Sequence, residues 1–346
     1  MPCLKPWPAI WLSGRRCATV CISAVGYEAM TLHHLQTPIV FVYGALRSGT
    51  TLFRLMLDAH PCIANLGEAD FLFDHIAPDP THPTGWRLDV ARLSVDWIFR
   101  GKALDLAPGK DGLDLLDDLL RQLVARAPGK AVTVSLHRHA EHLMAILPTA
   151  RLIHILRDPR DVARSSIGMG WAGTLYHGVG HWIATEQSWD HIADALATGQ
   201  AMTLKFKVLL RDPDTNLHAV CDFLGLSFDP GMLKYHASTS YDPPDASMAE
   251  KWRRLASPVE LMQLEARAGD LMLQRGYLLS GPVIRIGRLE LARLWLRNKF
   301  AIWRFGMRRF GALVFIGRKI TYHLGAKGLE NYFRQRMDAI TLRHLK

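Results

Sequence analysis

The stretch from Ile39 to Thr51, IVFVYGALRSGTT, decides how this chain folds. Ile39 to Val42 is an apolar run of the kind that fills a buried strand. Gly44 and Gly49 bound the loop that follows, and Leu52, Leu55, Met56 and Ala59 then recur at helical spacing. A strand that turns through such a loop into a helix aims backbone N–H groups and the positive end of a helix dipole at one spot, which suits an anion with phosphate-like oxygens. The glycine spacing is that of a nucleotide-binding G-x-x-x-x-G-K-[ST] loop, with one change. Thr50 stands where that loop has Lys, and the positive charge sits three residues earlier on Arg47.

The missing Lys bears on the chemistry. In nucleotide hydrolases and kinases it reaches the β- and γ-phosphates, so a triphosphate is poorly served here. A transferring group of lower charge, such as sulfuryl, needs less neutralisation and no metal. At Leu46-Arg47-Ser48-Gly49-Thr50-Thr51 the chain resembles the sulfotransferases that use 3′-phosphoadenosine 5′-phosphosulfate (PAPS), with Leu46 in place of the usual Pro. Leu52 to Pro61, LFRLMLDAHP, is similar to the helix after the loop in tyrosylprotein and many bacterial sulfotransferases. The resemblance implies an α/β, P-loop-like domain with a central parallel sheet flanked by helices. It implies that Arg47, Ser48, Gly49, Thr50 and Thr51 hold the 5′-phosphosulfate. It also implies that Glu68, in Asn65-Leu66-Gly67-Glu68-Ala69-Asp70-Phe71, is the general base that takes the acceptor's proton. Asp70 is a weaker competitor for that role.

A second site is expected in residues 151–166, RLIHILRDPRDVARSS. Leu152 to Leu156 reads as a buried strand, Arg157 falls at its end, and Ser165 follows eight residues later. The resemblance implies that Arg157 and Ser165 hold the 3′-phosphate, where a guanidinium matches phosphate oxygens, while Arg160 and Asp161 read as structural. Met202 to Phe206 is strand-like. Asp212-Pro213 starts a helix that Gly225 ends, and another helix is expected from about Pro258 to Arg275. Lys251-Trp252-Arg253-Arg254 resembles the basic segment that closes over the cofactor, so Lys251 and Arg254 are expected to touch it; a solvated basic turn reads equally well. Residues 86–127 read as helical, and Gly168 to Gly173 as a lid. One departure stands out: relatives carry a Lys-Thr-Pro or Lys-Asp-Pro triplet where alignment back from Pro148 gives Val132-Thr133-Val134, with Lys130 two residues away, so that either Lys130 serves after a local shift or Arg47 and backbone donors carry the load.

The resemblance covers residues 36–280. Residues 1–35 form a leader with three of the five cysteines and no apolar stretch long enough to span a membrane, and Met30 is an alternative start. An odd cysteine number without C-x-x-C points to reduced thiols and a cytoplasmic setting. Residues 281–346 hold 15 Lys/Arg against 3 Asp/Glu, a net of +12, while the whole chain is +10, so residues 1–280 carry −2. In this basic helical extension Arg293, Arg297, Arg304 and Arg308 fall in one stripe, opposite Leu291, Leu294, Trp295, Ile302 and Phe305. Residues 285–319 therefore read either as a helix lying on an anionic membrane surface, which would make the protein peripheral, or as one packed on the core. Nucleic acid is disfavoured, since no recognised module accompanies the charge. The reading is a PAPS-dependent sulfotransferase acting on a hydroxyl of a glycan, lipid, peptide or small alcohol. The alternative is a catalytically weak nucleotide-binding or membrane-associated scaffold, and a nucleotide kinase is weaker still.

Overall fold

The computed structural model describes residues 39–344 apart from Ser238 and Ser240, so the expected leader lies outside the described residues. Seven strands occur among them: β1 (Ile39–Tyr43), β2 (Ile63–Glu68), β3 (Ile76–Pro78), β4 (Trp86–Leu88), β5 (Ala131–Leu136), β6 (Arg151–Leu156) and β7 (Ala201–Lys205). Five of them form one sheet in the order β2-β5-β1-β6-β7, and every pairing in it is parallel. The strand read first in the sequence is thus the central one. All five of its residues are buried, as expected where both faces of a parallel sheet are covered by helices.

The two faces follow from side-chain alternation along β1. Ile39, Phe41 and Tyr43 join one apolar cluster with Val132, Val134 and the leucines of a helix at Gly112–Ala125. Val40 and Val42 join the other with Leu52, Phe53 and Met56 of the helix at Thr50–Asp58. We label the helices used below α1 (Thr50–Asp58), α2 (Trp97–Lys102), α3 (Gly112–Ala125), α4 (Pro159–Gly168), α5 (Gly180–Ala193), α6 (Pro213–Leu224), α7 (Pro258–Gln274), α8 (Arg288–Phe310), α9 (Ala312–His323) and α10 (Lys327–His344). Expected signals act locally. Asp212 caps α6 with Pro213 at its first turn, and left-handed Gly225 ends it. Ser257 and Glu260 form a capping box at the start of α7. Residues 86–88 differ from the helical expectation, because Trp86–Leu88 pairs antiparallel with Ile76–Pro78 in a small hairpin.

The chain divides into two compact units. The first comprises residues up to Asp158 with His181–Lys251, and the second Pro159–Gly180 with Trp252 onward. The second contains α8, α9 and α10, the helical extension anticipated from the sequence. No helix of the described residues is long and apolar enough to cross a membrane. Cys221 is a buried free thiol, whereas Cys62 is disulfide-bonded, so the expectation of reduced cysteines does not extend to it.

Candidate active site

A parallel sheet brings the carboxyl ends of its strands to one edge, where open α/β sheets bind their ligands. In the first unit that edge carries Glu68 ending β2, His137 after β5, Gly44 after β1 and Arg157 after β6. The register lines them up, with Glu68 beside Ser135 and Tyr43 beside Leu136.

Two glycines let the loop after β1 lie where it does. A Cβ on Gly44 would sit 2.5 Å from the Ile155 carbonyl oxygen, a backbone atom with nowhere to go. Gly49 has φ +96°, and a Cβ there would come within 2.1 Å of the Phe206 ring. Arg47 is left-handed as well, with φ 71°. Gly49 begins α1 without any side-chain cap, so the first-turn N–H groups have no intrahelical acceptor. Between the two left-handed residues, Ser48 is fully buried and its hydroxyl has no hydrogen-bond partner among the described residues. Leaving a buried hydroxyl unsatisfied costs about 1–3 kcal/mol. An uncapped helix start, a buried orphan hydroxyl and Arg47 together form a donor set suited to an anion with phosphate-like oxygens. The loop is fastened from the side by His181, whose Nε2 lies 3.0 Å from the Leu46 carbonyl oxygen. Burial first, and the charges of His137 and Arg47 after it, push the His181 pKa down, so the ring stays neutral and donates.

Glu68 is partly exposed, and its Oε1 lies 3.9 Å from Nε2 of buried His137. The other ring nitrogen of His137, Nδ1, lies 2.7 Å from the Gly44 carbonyl oxygen. A carbonyl can only accept, so Nδ1 carries a proton and donates to it, which turns Nε2 toward the Glu68 side. That Nε2 has no hydrogen-bond partner among the described residues. Asp70, the weaker candidate base, is buried and accepts the backbone N–H of His137 at 2.8 Å. Burial pushes its pKa up. It braces the end of β5 and leaves Glu68 as the accessible carboxylate there. Behind Glu68, the Lys102 ammonium of α2 donates to the Leu66 carbonyl. Its pKa is lowered by burial and then by Arg54, with Glu68 opposing.

Arg157 is held in an extended network. Its guanidinium donates to the carbonyls of Arg47 and Met248, each at 3.0 Å, and lies 4.7 Å over the Phe206 ring. Trp182 donates its indole N–H to the Arg157 carbonyl at 3.1 Å. Within the second unit, Ser165 is half-buried on α4, and Arg254 is exposed on a short helix at Trp252–Leu255. The anchor of that helix is Trp252, whose ring lies 3.8 Å under the Arg160 guanidinium and whose N–H reaches Asp161 at 3.0 Å. Arg160 in turn pairs with buried Glu265 at 3.0 Å, so Arg160 and Asp161 are structural. Lys251, the last residue of the first unit, is exposed.

Two expectations need correction. Lys130 precedes β5, whereas Glu68 ends the parallel strand β2, so the two lie at opposite ends of the sheet. Lys130 cannot stand in for the triplet Lys. Val132 and Val134 are strand interior, and the residues at the mouth of β5 are His137 and Arg138. The lid at Gly168 to Gly173 is packed against α8. A Cβ at Gly170 would meet the Phe305 ring at 2.1 Å, and the Gly173 N–H donates to Asn298 Oδ1 at 2.7 Å. Sequence reading missed His137, His181 and Lys102. Their signal is position rather than motif, since each is placed by tertiary contacts with residues far away in the chain. No group of three His, Cys, Asp or Glu among the described residues is placed to hold a metal ion.

Comparison with known proteins follows the same outline. The model of the sulfotransferase family matches residues 38–230. A candidate protein-tyrosine sulfotransferase of Caenorhabditis briggsae is 25% identical over 57% of this chain and 69% of its own length. Protein-tyrosine sulfotransferase 2 of Gallus gallus is 23% identical over 67% of this chain and 62% of its own. Across the curated relatives it matches, the chain spans from 33% to 69% of their length. Among solved structures, the sulfotransferase domain of the Synechococcus PCC 7002 olefin synthase superposes with a TM-score of 0.54 at 20% identity, covering 70% of this chain and 96% of that one.

Proposed function

This chain belongs to the sulfotransferase family, whose model covers more than half of it, and on that premise we propose that it moves a sulfuryl group from PAPS to a hydroxyl acceptor by in-line transfer. The observation that carries the reading is the meeting of a phosphosulfate-fitting loop and an accessible carboxylate at the carboxyl edge of one parallel sheet. Arg47 and the backbone and side-chain donors of Ser48 to Thr51 would hold the 5′-phosphosulfate. Arg157 would hold the 3′-phosphate. Ser165, at its offset of eight residues, and Lys251 and Arg254 are assigned to the nucleotide on the resemblance described above.

PAPS supplies the activated sulfur. The acceptor oxygen bonds to that sulfur as the bond from sulfur to the phosphate oxygen breaks, and 3′,5′-adenosine bisphosphate leaves. The acceptor's proton passes to Glu68. That carboxylate can accept the hydrogen bond of the attacking hydroxyl and so orient its oxygen before it reacts. Negative charge growing on the leaving phosphate faces Arg47 and the α1 N-terminus, which act without reorganisation.

The test is calorimetric. The protein should bind 3′,5′-adenosine bisphosphate far more tightly than 5′-AMP. Arg157→Ala should erase most of that preference, since a charge-assisted hydrogen bond contributes on the order of 1.5–3 kcal/mol. Equal affinity of the unaltered protein for the two nucleotides would sink the 3′-site assignment.

A further inference from the structure

Helix α8 has three distinct sides. Leu294 and Asn298 are buried, and Ala301 and Phe305 approach Gly173 and Gly170, so these four positions form the packed side. Of the apolar face anticipated opposite the arginines, Leu294 and Phe305 thus pack inward, while Trp295 stays exposed. The second side is the row Arg293, Arg297, Arg304 and Arg308, all exposed. The third was not anticipated. Leu289, Leu296 and Phe300 are 67%, 60% and 69% exposed, and Trp303 continues the row at 40%, its ring edge-on to Phe315 of α9 at 5.6 Å.

At about 100° per residue these four fall within about 60° of one another, diametrically opposite the packed side. The arginine row runs along one flank of the strip, and Arg288 and Lys299 lie on the other. Apart from Glu290, the helix carries no acidic residue to neutralise them. On α9 and its C-cap the exposed Leu313, Ile320 and Leu324 likewise share one stripe.

We propose that the outward strip of α8 is a docking surface for an anionic lipid bilayer. Water-exposed leucine, phenylalanine and tryptophan in a row are costly to leave uncovered, and contiguous patches of this kind mark interaction sites. Cations along both flanks are the arrangement that lets apolar side chains enter the acyl boundary while long basic side chains reach anionic headgroups. Charge complementarity selects the occupant, because the +12 of residues 281–346 favours a surface of fixed negative charge. The packed side keeps the helix attached to its own unit while the outward side is engaged. Docking then concentrates the protein in two dimensions at the membrane, whatever its acceptor.

The experiment is flotation of the full chain with vesicles of phosphatidylcholine alone and of phosphatidylcholine mixed with phosphatidylserine. The protein should bind the mixed vesicles, lose them as salt rises, and ignore the neutral ones. Changing Arg293, Arg297, Arg304 and Arg308 together to Gln should weaken binding roughly 100-fold or more. The double change L296Q/F300Q touches only exposed side chains and should weaken it roughly tenfold. Both variants should keep the unfolding transition of the original chain. Undiminished vesicle binding by either variant would overturn the proposal. So would a failure to bind mixed vesicles combined with concentration-dependent self-association that L296Q/F300Q abolishes, which would assign the strip to a second copy of this chain.

Discussion

Positive charge is deployed in opposite ways at the mouth of the sheet and along α8. At the mouth a few cations are fixed by geometry. Arg157 is tied to two backbone carbonyls and a ring, and Arg47 sits on a left-handed backbone between glycines that permit no Cβ. Along α8 four arginines are exposed on a regular helix, Arg293 pairing with Glu290 at 3.7 Å, and what matters is their number and side. The difference teaches that the first site depends on position and breaks when one atom is misplaced, whereas the second depends on summed charge and area and erodes gradually.

The sharpest way to test the positional half is Glu68→Gln. The change keeps shape but cannot take a proton, so transfer should fall roughly 10²–10⁴-fold while affinity for 3′,5′-adenosine bisphosphate is unchanged. Wild-type turnover would mean that the base lies elsewhere, with His137 the next group to alter.

The loop offers a smaller effect of the same kind. Gly49→Ala forces a side chain into the left-handed region and against Phe206. It should cost about 1–3 kcal/mol of stability from backbone strain and weaken bisphosphate binding at least tenfold, both read by calorimetry. A neutral outcome would show that the loop is not held where the glycines place it.

The smallest effect is a pH dependence. The pKa values of His142, His177 and His181 are all lowered from 6.5, with burial the leading cause. Above that value the rings are neutral whether the chain is folded or not. Below it the unfolded chain takes up protons that the folded one resists, so stability declines as pH falls from 6.5 toward the folded values. Denaturant midpoints should therefore drop between about pH 7 and pH 5.5. His181→Gln, which keeps a donor for the Leu46 carbonyl, should make that drop shallower, and an unaltered slope would remove His181 from the explanation.

Legibility in the sequence divides along similar lines. Local signals were readable: the apolar run of β1, the glycine spacing of the loop, the caps of α6 and α7. Glu68 and Arg157 could be singled out because each follows closely on a readable strand or loop. His137 could not, since its meaning comes from β5 lying between β1 and β2, a pairing set by side chains dozens of residues apart. The same ignorance of strand order made Lys130 look serviceable, although it lies at the wrong end of β5. On α8 the periodic arginine row was legible. Which apolar side packs was not, because Gly170 and Gly173, which admit the helix, belong to another segment.

The most direct measurement of the central claim is incubation with sulfur-labelled PAPS and a fractionated extract of lipids, glycans and peptides, run beside the Glu68→Gln variant. The account predicts label in a hydroxyl-bearing fraction with the unaltered protein and almost none with the variant, although both bind 3′,5′-adenosine bisphosphate. Equal labelling by the two proteins, or none by the unaltered one with any fraction, would contradict it.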